Sequence, residues 1–297
     1  MAIFRPGALG DALLTLPVLE SSAAAGARVT AVGHPAFSLA VECGLAADHV
    51  AFDDPRLLGL FAEGGSCELF RGFRLAIVFA RGPASPLADG LRRSGVASVL
   101  TWPSHPPPGL HTVDHLLGAP AAAGFRAASR QPRLPPQPAW LDAARAWLRG
   151  RGLGEDFVAI HPGSGGRLKR WPAERFAEVA RRLKRPVVWL IGPAEAGDEE
   201  ARALGERVGV VAFDLPLPTL AGLLATCGAY VGNDSGVSHL AAVVGAPTVA
   251  IFGPTDPAVW APRGERVAIL GGPAAGGLAA VSVEHVVAAL RSRTHPQ

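Results

Sequence analysis

Residues 229–257 read AYVGNDSGVSHLAAVVGAPTVAIFGPTDP. The apolar run 229–232 has the length and composition of a short buried strand. Beyond it the period changes: Val237, Leu240, Ala241 and Val244 recur at helical spacing. Residues 247–252 form a second β-branched run, which ends in the small-residue loop 252–257, FGPTDP. Strand, loop, helix and strand in this order make the repeating unit of a parallel sheet covered by helices.

Between the first strand and the helix lie Asn233, Asp234, Ser235 and Gly236. A helix N-terminus offers free N–H groups and the positive end of a dipole to an anion. Gly236 lets a ligand approach the backbone. A plainer reading is that Asp234 only caps the helix, a contact worth about 1 kcal/mol. Two adjacent small-residue loops at one sheet edge favour the nucleotide-site reading.

The same alternation runs through the chain. Residues 28–32, 75–79, 96–101, 157–161, 186–191 and 208–213 also read as buried strands. Residues 172–184 read as a helix, with Phe176, Val179, Ala180 and Leu183 on one stripe and Pro172 at the first helical position. The stretch 127–138, AASRQPRLPPQP, breaks the pattern, and its prolines favour extended backbone. It separates two similar α/β halves, expected at 1–135 and 136–297; a long surface loop within one domain is the competing reading. In open parallel sheets ligands bind beyond the C-terminal strand ends.

Composition limits the function. The chain has 297 residues, 49% hydrophobic and 18% charged, which suits packed domains rather than disorder. Its net charge of +3 and lack of a Lys/Arg run do not make a nucleic-acid footprint. Cys43, Cys67 and Cys227 are widely spaced and odd in number, so neither a disulfide framework nor a zinc site is expected, and a cytoplasmic location fits. The apolar stretch 239–252 is broken by Gly245 and Pro247 and reads as a helix then a strand rather than a membrane span. His111 and His115 stand at i and i+4 on an expected helix, a spacing that can hold zinc, but without the companion ligands of a metal motif. Asp53-Asp54 is not a spaced Asp-x-Asp, and Pro55 makes it the start of a loop.

Two further segments carry chemistry. Residues 160–172, IHPGSGGRLKRWP, place Arg167, Lys169 and Arg170 on a glycine-rich loop between a strand and a helix. A fixed cation there stabilises a departing diphosphate, although surface Arg and Lys are more often merely solvated. Trp171 fits a core anchor better than a stacking platform. Residues 5–17, RPGALGDALLTLP, follow the first strand and bring Asp11 to a sheet edge. A carboxylate facing an acceptor hydroxyl can act as general base, while a helix cap is the rival role. No Rossmann glycine fingerprint or Walker sequence is present, which disfavours a dehydrogenase.

In order and spacing, Gly10-Asp11 with Thr15-Leu16-Pro17, His161-Pro-Gly-Ser with Lys169-Arg-Trp-Pro172, and Asn233 to His239 with the 252–257 loop resemble glycosyltransferase family 9, the ADP-heptose:lipopolysaccharide heptosyltransferases. The resemblance implies a GT-B fold, two Rossmann-like domains facing across a cleft, and inverting, metal-independent transfer with no cofactor. It implies Asp11 as general base, Lys169 on the donor phosphates, and donor contacts from Gly10, Ser164, Glu195, Asp234, Ser235, Gly236 and His239. Asp234 would bind sugar hydroxyls, and the amides of Ser235 and Gly236 would meet the diphosphate. Glu195 would contact the ribose, with Glu199 competing for that role. The implied partners are a nucleotide-diphosphate sugar such as ADP-heptose and a lipid-linked oligosaccharide acceptor, with contact at the inner membrane surface. Arg56, Arg71, Arg74 and Arg81 are candidates to meet an anionic acceptor. A non-catalytic protein of the same fold that holds a nucleotide sugar or glycan, or a member using another nucleotide sugar, is the alternative.

Overall fold

The computed structural model describes residues 1–82 and 85–294, and the chain divides into two compact units between Pro132 and Arg133. In the first unit β1 (Ala2–Arg5), β2 (Thr30–Gly33), β3 (Asp48–Ala51), β4 (Ala76–Ala80) and β5 (Val99–Pro103) form a parallel sheet in the order β3-β2-β1-β4-β5. Phe4 of β1 lies opposite Val32 and Val78, and all three are buried. On that face Phe4 meets Phe70 with ring centroids 5.1 Å apart, beside Leu57, Leu60 and Leu91. Ile3, Ala31 and Ile77 are buried on the opposite face, which explains why these strands read as unbroken apolar runs.

In the second unit β6 (Val158–His161), β7 (Val187–Ile191), β8 (Val210–Phe213), β9 (Ala229–Asn233), β10 (Thr248–Phe252) and β11 (Val267–Gly271) form a parallel sheet in the order β11-β10-β9-β6-β7-β8. Helices Ala173–Leu183 and Val283–Thr294 cover one face, through Phe176, Val179, Val286 and Leu290. Leu134 is buried in this unit and its N–H donates to the Val243 carbonyl at 2.8 Å, so the tail of the proline-rich stretch is tied down. In both sheets the order in which the chain lays down its strands reverses once, between β1 and β4 and between β6 and β9. Such switch points open a crevice at the C-terminal strand ends.

Several local expectations need correction. The helix read at 172–184 spans Ala173–Leu183, and Pro172 is its cap rather than its first helical residue, with ψ at 133°. Its carbonyl accepts from the Arg175 and Phe176 N–H groups, as a cap carbonyl does. Lys184 ends the helix in the left-handed region at φ +52°. His111 is not inside a helix: its Nδ1 accepts from the Val113 N–H at the N-cap of Thr112–Leu116. The His115 ring bonds through Nε2 to the Pro103 carbonyl oxygen at 2.8 Å, which gives the two histidines separate structural roles. Asp54 caps the short helix Pro55–Leu60, and its bonds to Arg56 hold its carboxyl at about 2. The three cysteines are unlinked, and burial pushes the Cys227 thiol up to about 12. Among the described residues no helix is long and apolar enough to cross a membrane.

Asn233, the last residue of β9, is fully buried. Its Oδ1 accepts from the Trp171 N–H at 2.9 Å and its Nδ2 donates to the Pro162 carbonyl at 2.7 Å. Truncation would leave both backbone groups buried without partners, at roughly 1–3 kcal/mol each. Asn233→Ala should therefore lower the unfolding free energy by about 2–4 kcal/mol in a urea titration; a change below about 0.5 kcal/mol would show that the loop does not hang on this side chain.

Candidate active site

In the second unit, the ends of β6 and β9 bring residues 161–170 against residues 233–236. The Lys169 Nζ donates to Asp234 Oδ2 at 2.8 Å, with the Asp234 side chain 8% exposed and Lys169 37%. The Ser164 hydroxyl donates to the Asp234 carbonyl at 2.8 Å. Helix Gly236–Val243 starts immediately after, with Ser235 at its N-cap and no side chain capping it. Asp234 is thus not the helix cap, because its carboxylate is turned to Lys169. The Lys169 ammonium carries three protons and the Asp234 carboxylate several lone pairs, so both retain capacity for a ligand.

The end of β7 adds a second charged group. Glu195 follows Ile191 by four residues in the short helix Pro193–Glu195 and is buried. Its Oε2 accepts from the Gly192 N–H at 3.2 Å and stands 3.7 Å from His161 Nε2, while Oε1 stands 3.9 Å from Arg170 Nη2. Burial pushes the Glu195 carboxyl up, but His161, the Gly192 N–H and Arg170 outweigh it, and the net shift is below the ordinary carboxylate value. A Cβ on Gly163 would fall 2.3 Å from the Glu195 carboxyl carbon, so only glycine there admits this carboxylate. Glu199, the competing candidate, is exposed in the first turn of Glu199–Val208. A cavity of about 250 Å³, lined by Gly163, Arg170, Trp171, Leu190, Glu195 and Asp198, opens beside the carboxylate.

Arg170 braces the glycine-rich loop. Its Nε and Nη2 donate to the Ser164 carbonyl at 3.1 and 3.0 Å. Trp171 is a core anchor: it is buried, its Nε1 donates to the Val281 carbonyl, and it meets Phe176 edge-on at 4.9 Å. Arg167 remains on the rim of the same cavity.

In the first unit, Asp11 lies in helix Leu9–Leu14 just past β1. Its Oδ1 accepts from Arg5 Nη2 at 2.5 Å and its Oδ2 from the Ala8 N–H at 3.0 Å. It therefore makes the cap-type contact and keeps a surface, with its side chain 29% exposed. Arg5 is 3% exposed; burial lowers its pKa and Asp11 opposes that shift, although an arginine stays charged. Asp11 and Arg5 line a cavity of about 430 Å³ together with Phe61, Arg81, Ser104 and His105. Of the arginines expected to face an acceptor, Arg81 alone lines this cavity. Arg56 pairs with Asp54 and Arg71 with Glu68, both at 2.6 Å, and Arg74 is exposed.

The second unit thus assembles Ser164, Lys169, Glu195, Asp234, Ser235 and Gly236 at one sheet edge. His239 is buried one turn into the same helix, whereas Gly10 belongs to the first unit beside Asp11. Three residues escaped the sequence reading as participants: Arg5, the imidazole of His161, and Asn233. Their common signal is a polar residue closing an apolar strand, a place that packing alone leaves to apolar side chains.

The family model of glycosyltransferase family 9 (heptosyltransferase) matches residues 75–286. Lipooligosaccharide heptosyltransferase 2 of Haemophilus influenzae is 35% identical over 129 residues, covering 40% of this chain and 37% of that protein. The chain therefore aligns with little more than a third of that curated relative's length. Among solved structures, a family 9 glycosyl transferase of Veillonella parvula superposes with a TM-score of 0.80 at 22% identity, covering 99% of this chain and 96% of the other. The ADP-heptose lps heptosyltransferase II of E. coli superposes with a TM-score of 0.78 at 17% identity, covering 99% and 98%. These likenesses fix the fold as GT-B, two parallel-sheet α/β units, and with the match over 75–286 they show that the chain belongs to glycosyltransferase family 9, the heptosyltransferase family.

Proposed function

We propose that this protein transfers a heptose from ADP-heptose to a sugar of a lipopolysaccharide-core acceptor, with inversion at the anomeric carbon and without a metal ion. The observation that carries the reading is the Lys169–Asp234 pair set at the uncapped N-terminus of Gly236–Val243. A cation and open amides are suited to a diphosphate, and the adjacent carboxylate to sugar hydroxyls. The E. coli and Haemophilus relatives carry heptosyltransferase names, which supports heptose as the sugar.

On this reading the first unit is the acceptor side and the second the nucleotide-sugar side. The Asp11 carboxylate takes the proton of an acceptor hydroxyl as its oxygen attacks the anomeric carbon. The bond to the diphosphate breaks, and ADP leaves with the electron pair. Lys169 and the amides of Ser235 and Gly236 stabilise the charge that grows on the leaving phosphate, which is where fixed donors accelerate most. Glu195 holds the ribose, and Ser164 keeps the Asp234 backbone in place. His239 backs the diphosphate site from the next turn. Gly10 lets the backbone beside Asp11 approach the donor. The acceptor sugar occupies the cavity shared by Asp11 and Arg81, where Arg81 meets an anionic substituent. A lipid-linked acceptor would bring the enzyme to the cytoplasmic surface of the inner membrane.

Asp11→Asn should cut transfer by about 10²–10⁴-fold while ADP affinity, by calorimetry, stays within about twofold. Wild-type turnover in that variant would remove Asp11 from the role. Lys169→Ala should lower kcat/KM by about 10²–10³-fold, and chelators should leave the wild-type rate unchanged. Arg81→Ala should raise the acceptor KM without moving the donor KM; an equal rise in both would place Arg81 elsewhere. ADP binding with no release of ADP in the presence of truncated core acceptors would favour a non-catalytic binding protein.

A further inference from the structure

Ser235 occupies the N-cap of Gly236–Val243, with φ −155° and ψ 164°, yet its hydroxyl does not cap the helix. Serine at this position ordinarily accepts from an amide of the first turn. Here its Oγ stands 3.3 Å from His161 Nδ1. The Tyr230 hydroxyl, buried and bonded to Ser238 at 2.9 Å, also reaches the Ser235 side chain. The result is a helix whose first amides no side chain of its own engages.

His161 is held for this contact from its other edge. It closes β6, opposite Gly232 in register, and its side chain is 4% exposed. Nε2 is buried with no hydrogen-bond partner within bonding distance, and Glu195 Oε2 faces it at 3.7 Å. A carboxylate there favours the proton on Nε2, which turns the Nδ1 lone pair to the Ser235 hydroxyl. Glu195 is fixed in turn by the Gly192 N–H and by the bare backbone of Gly163.

We propose that His161 is a positioning residue: oriented by Glu195, it draws the Ser235 hydroxyl away from the helix and so leaves the N-terminal amides open to the donor diphosphate. The inference rests on the donor-site reading above. It makes ribose-side Glu195 and phosphate-side Ser235 one connected unit, joined through a ring that touches neither ribose nor phosphate.

The test compares two isosteric replacements in ADP titrations by calorimetry, with thermal unfolding as the control for folding. His161→Asn keeps an acceptor near the Nδ1 position; His161→Gln moves the amide to the Nε2 position. His161→Asn should keep ADP affinity within about twofold, and His161→Gln should weaken it about fivefold, the equilibrium ratio for opening an average N-cap. Adding Ser235→Ala to His161→Gln should restore affinity towards that of Ser235→Ala alone, because the competing cap is gone. The donor KM should follow the same order, with kcat changed far less. Equal weakening by Asn and Gln, or a double variant weaker than either single one, would overturn the proposal. Failure of the wild-type protein to bind ADP would instead overturn the donor-site reading and this inference with it.

Discussion

The Asn233 carboxamide is the fixed point of the second unit. It has no solvent exposure, and it joins the end of β9 to backbone groups on both sides of the glycine-rich loop. Gly163, Gly165 and Gly166 give the loop after Pro162 little conformational preference of its own, so an outside anchor must choose its path. With Pro162 and Trp171 pinned, the loop between them is short enough for Ser164 to reach the Asp234 carbonyl and for Lys169 to reach its carboxylate. Arg170 closes the remaining freedom with two bonds to the Ser164 carbonyl. The charged pair is therefore the last layer on a scaffold of neutral and backbone bonds.

The first strand of each unit ends in the same kind of residue. Arg5 closes β1 and His161 closes β6; both strands lie at their sheet's switch point, and both side chains are nearly fully buried. Each leaves one ring or guanidinium nitrogen without a hydrogen-bond partner, Arg5 Nε and His161 Nε2. A buried unpaired donor costs stability, so neither residue is there to strengthen the sheet. Each instead orients a group just beyond it: Arg5 fixes the Asp11 carboxylate, and His161 faces Ser235 and Glu195.

The legible part of the sequence was that in which burial and period act together. Runs such as 187–191 and 248–252 are apolar on both faces and announce interior parallel strands. β3 and β11, two of the four edge strands, escaped because little of them is buried: β3, Asp48–Ala51, buries a single residue, and β11 is only half-buried along its length. Edge positions accept polar residues and lose the apolar signature. Within the site, Asp234 and Lys169 could be picked out because small residues surround them. The choice between Glu195 and Glu199 could not be made from spacing. It depends on the short helix Pro193–Glu195, which folds one carboxylate under Gly163 and leaves the other in solvent. Arg56 and Arg71 show the reverse case: their charge suggested a ligand, and a carboxylate two or three residues away already satisfies it.

The Lys169–Asp234 pair also clarifies why the site is arranged as it is. Desolvating a carboxylate is expensive, and one contact to a half-exposed ammonium offsets that only in part, so such a pair is weak support for stability. Its value is in preorganisation. Asp234 is held by backbone on one side and by Lys169 on the other, which keeps a negative group next to a helix terminus that would otherwise draw any anion. A free phosphate entering alone meets the open amides but also this carboxylate. On the proposed donor-site reading, a ligand that carries hydroxyls beside its phosphates would meet both with the right partner, since hydroxyls would donate to Asp234 while phosphate oxygens accept from the amides and Lys169. On that reading, these two charges would therefore discriminate a sugar diphosphate from a bare anion.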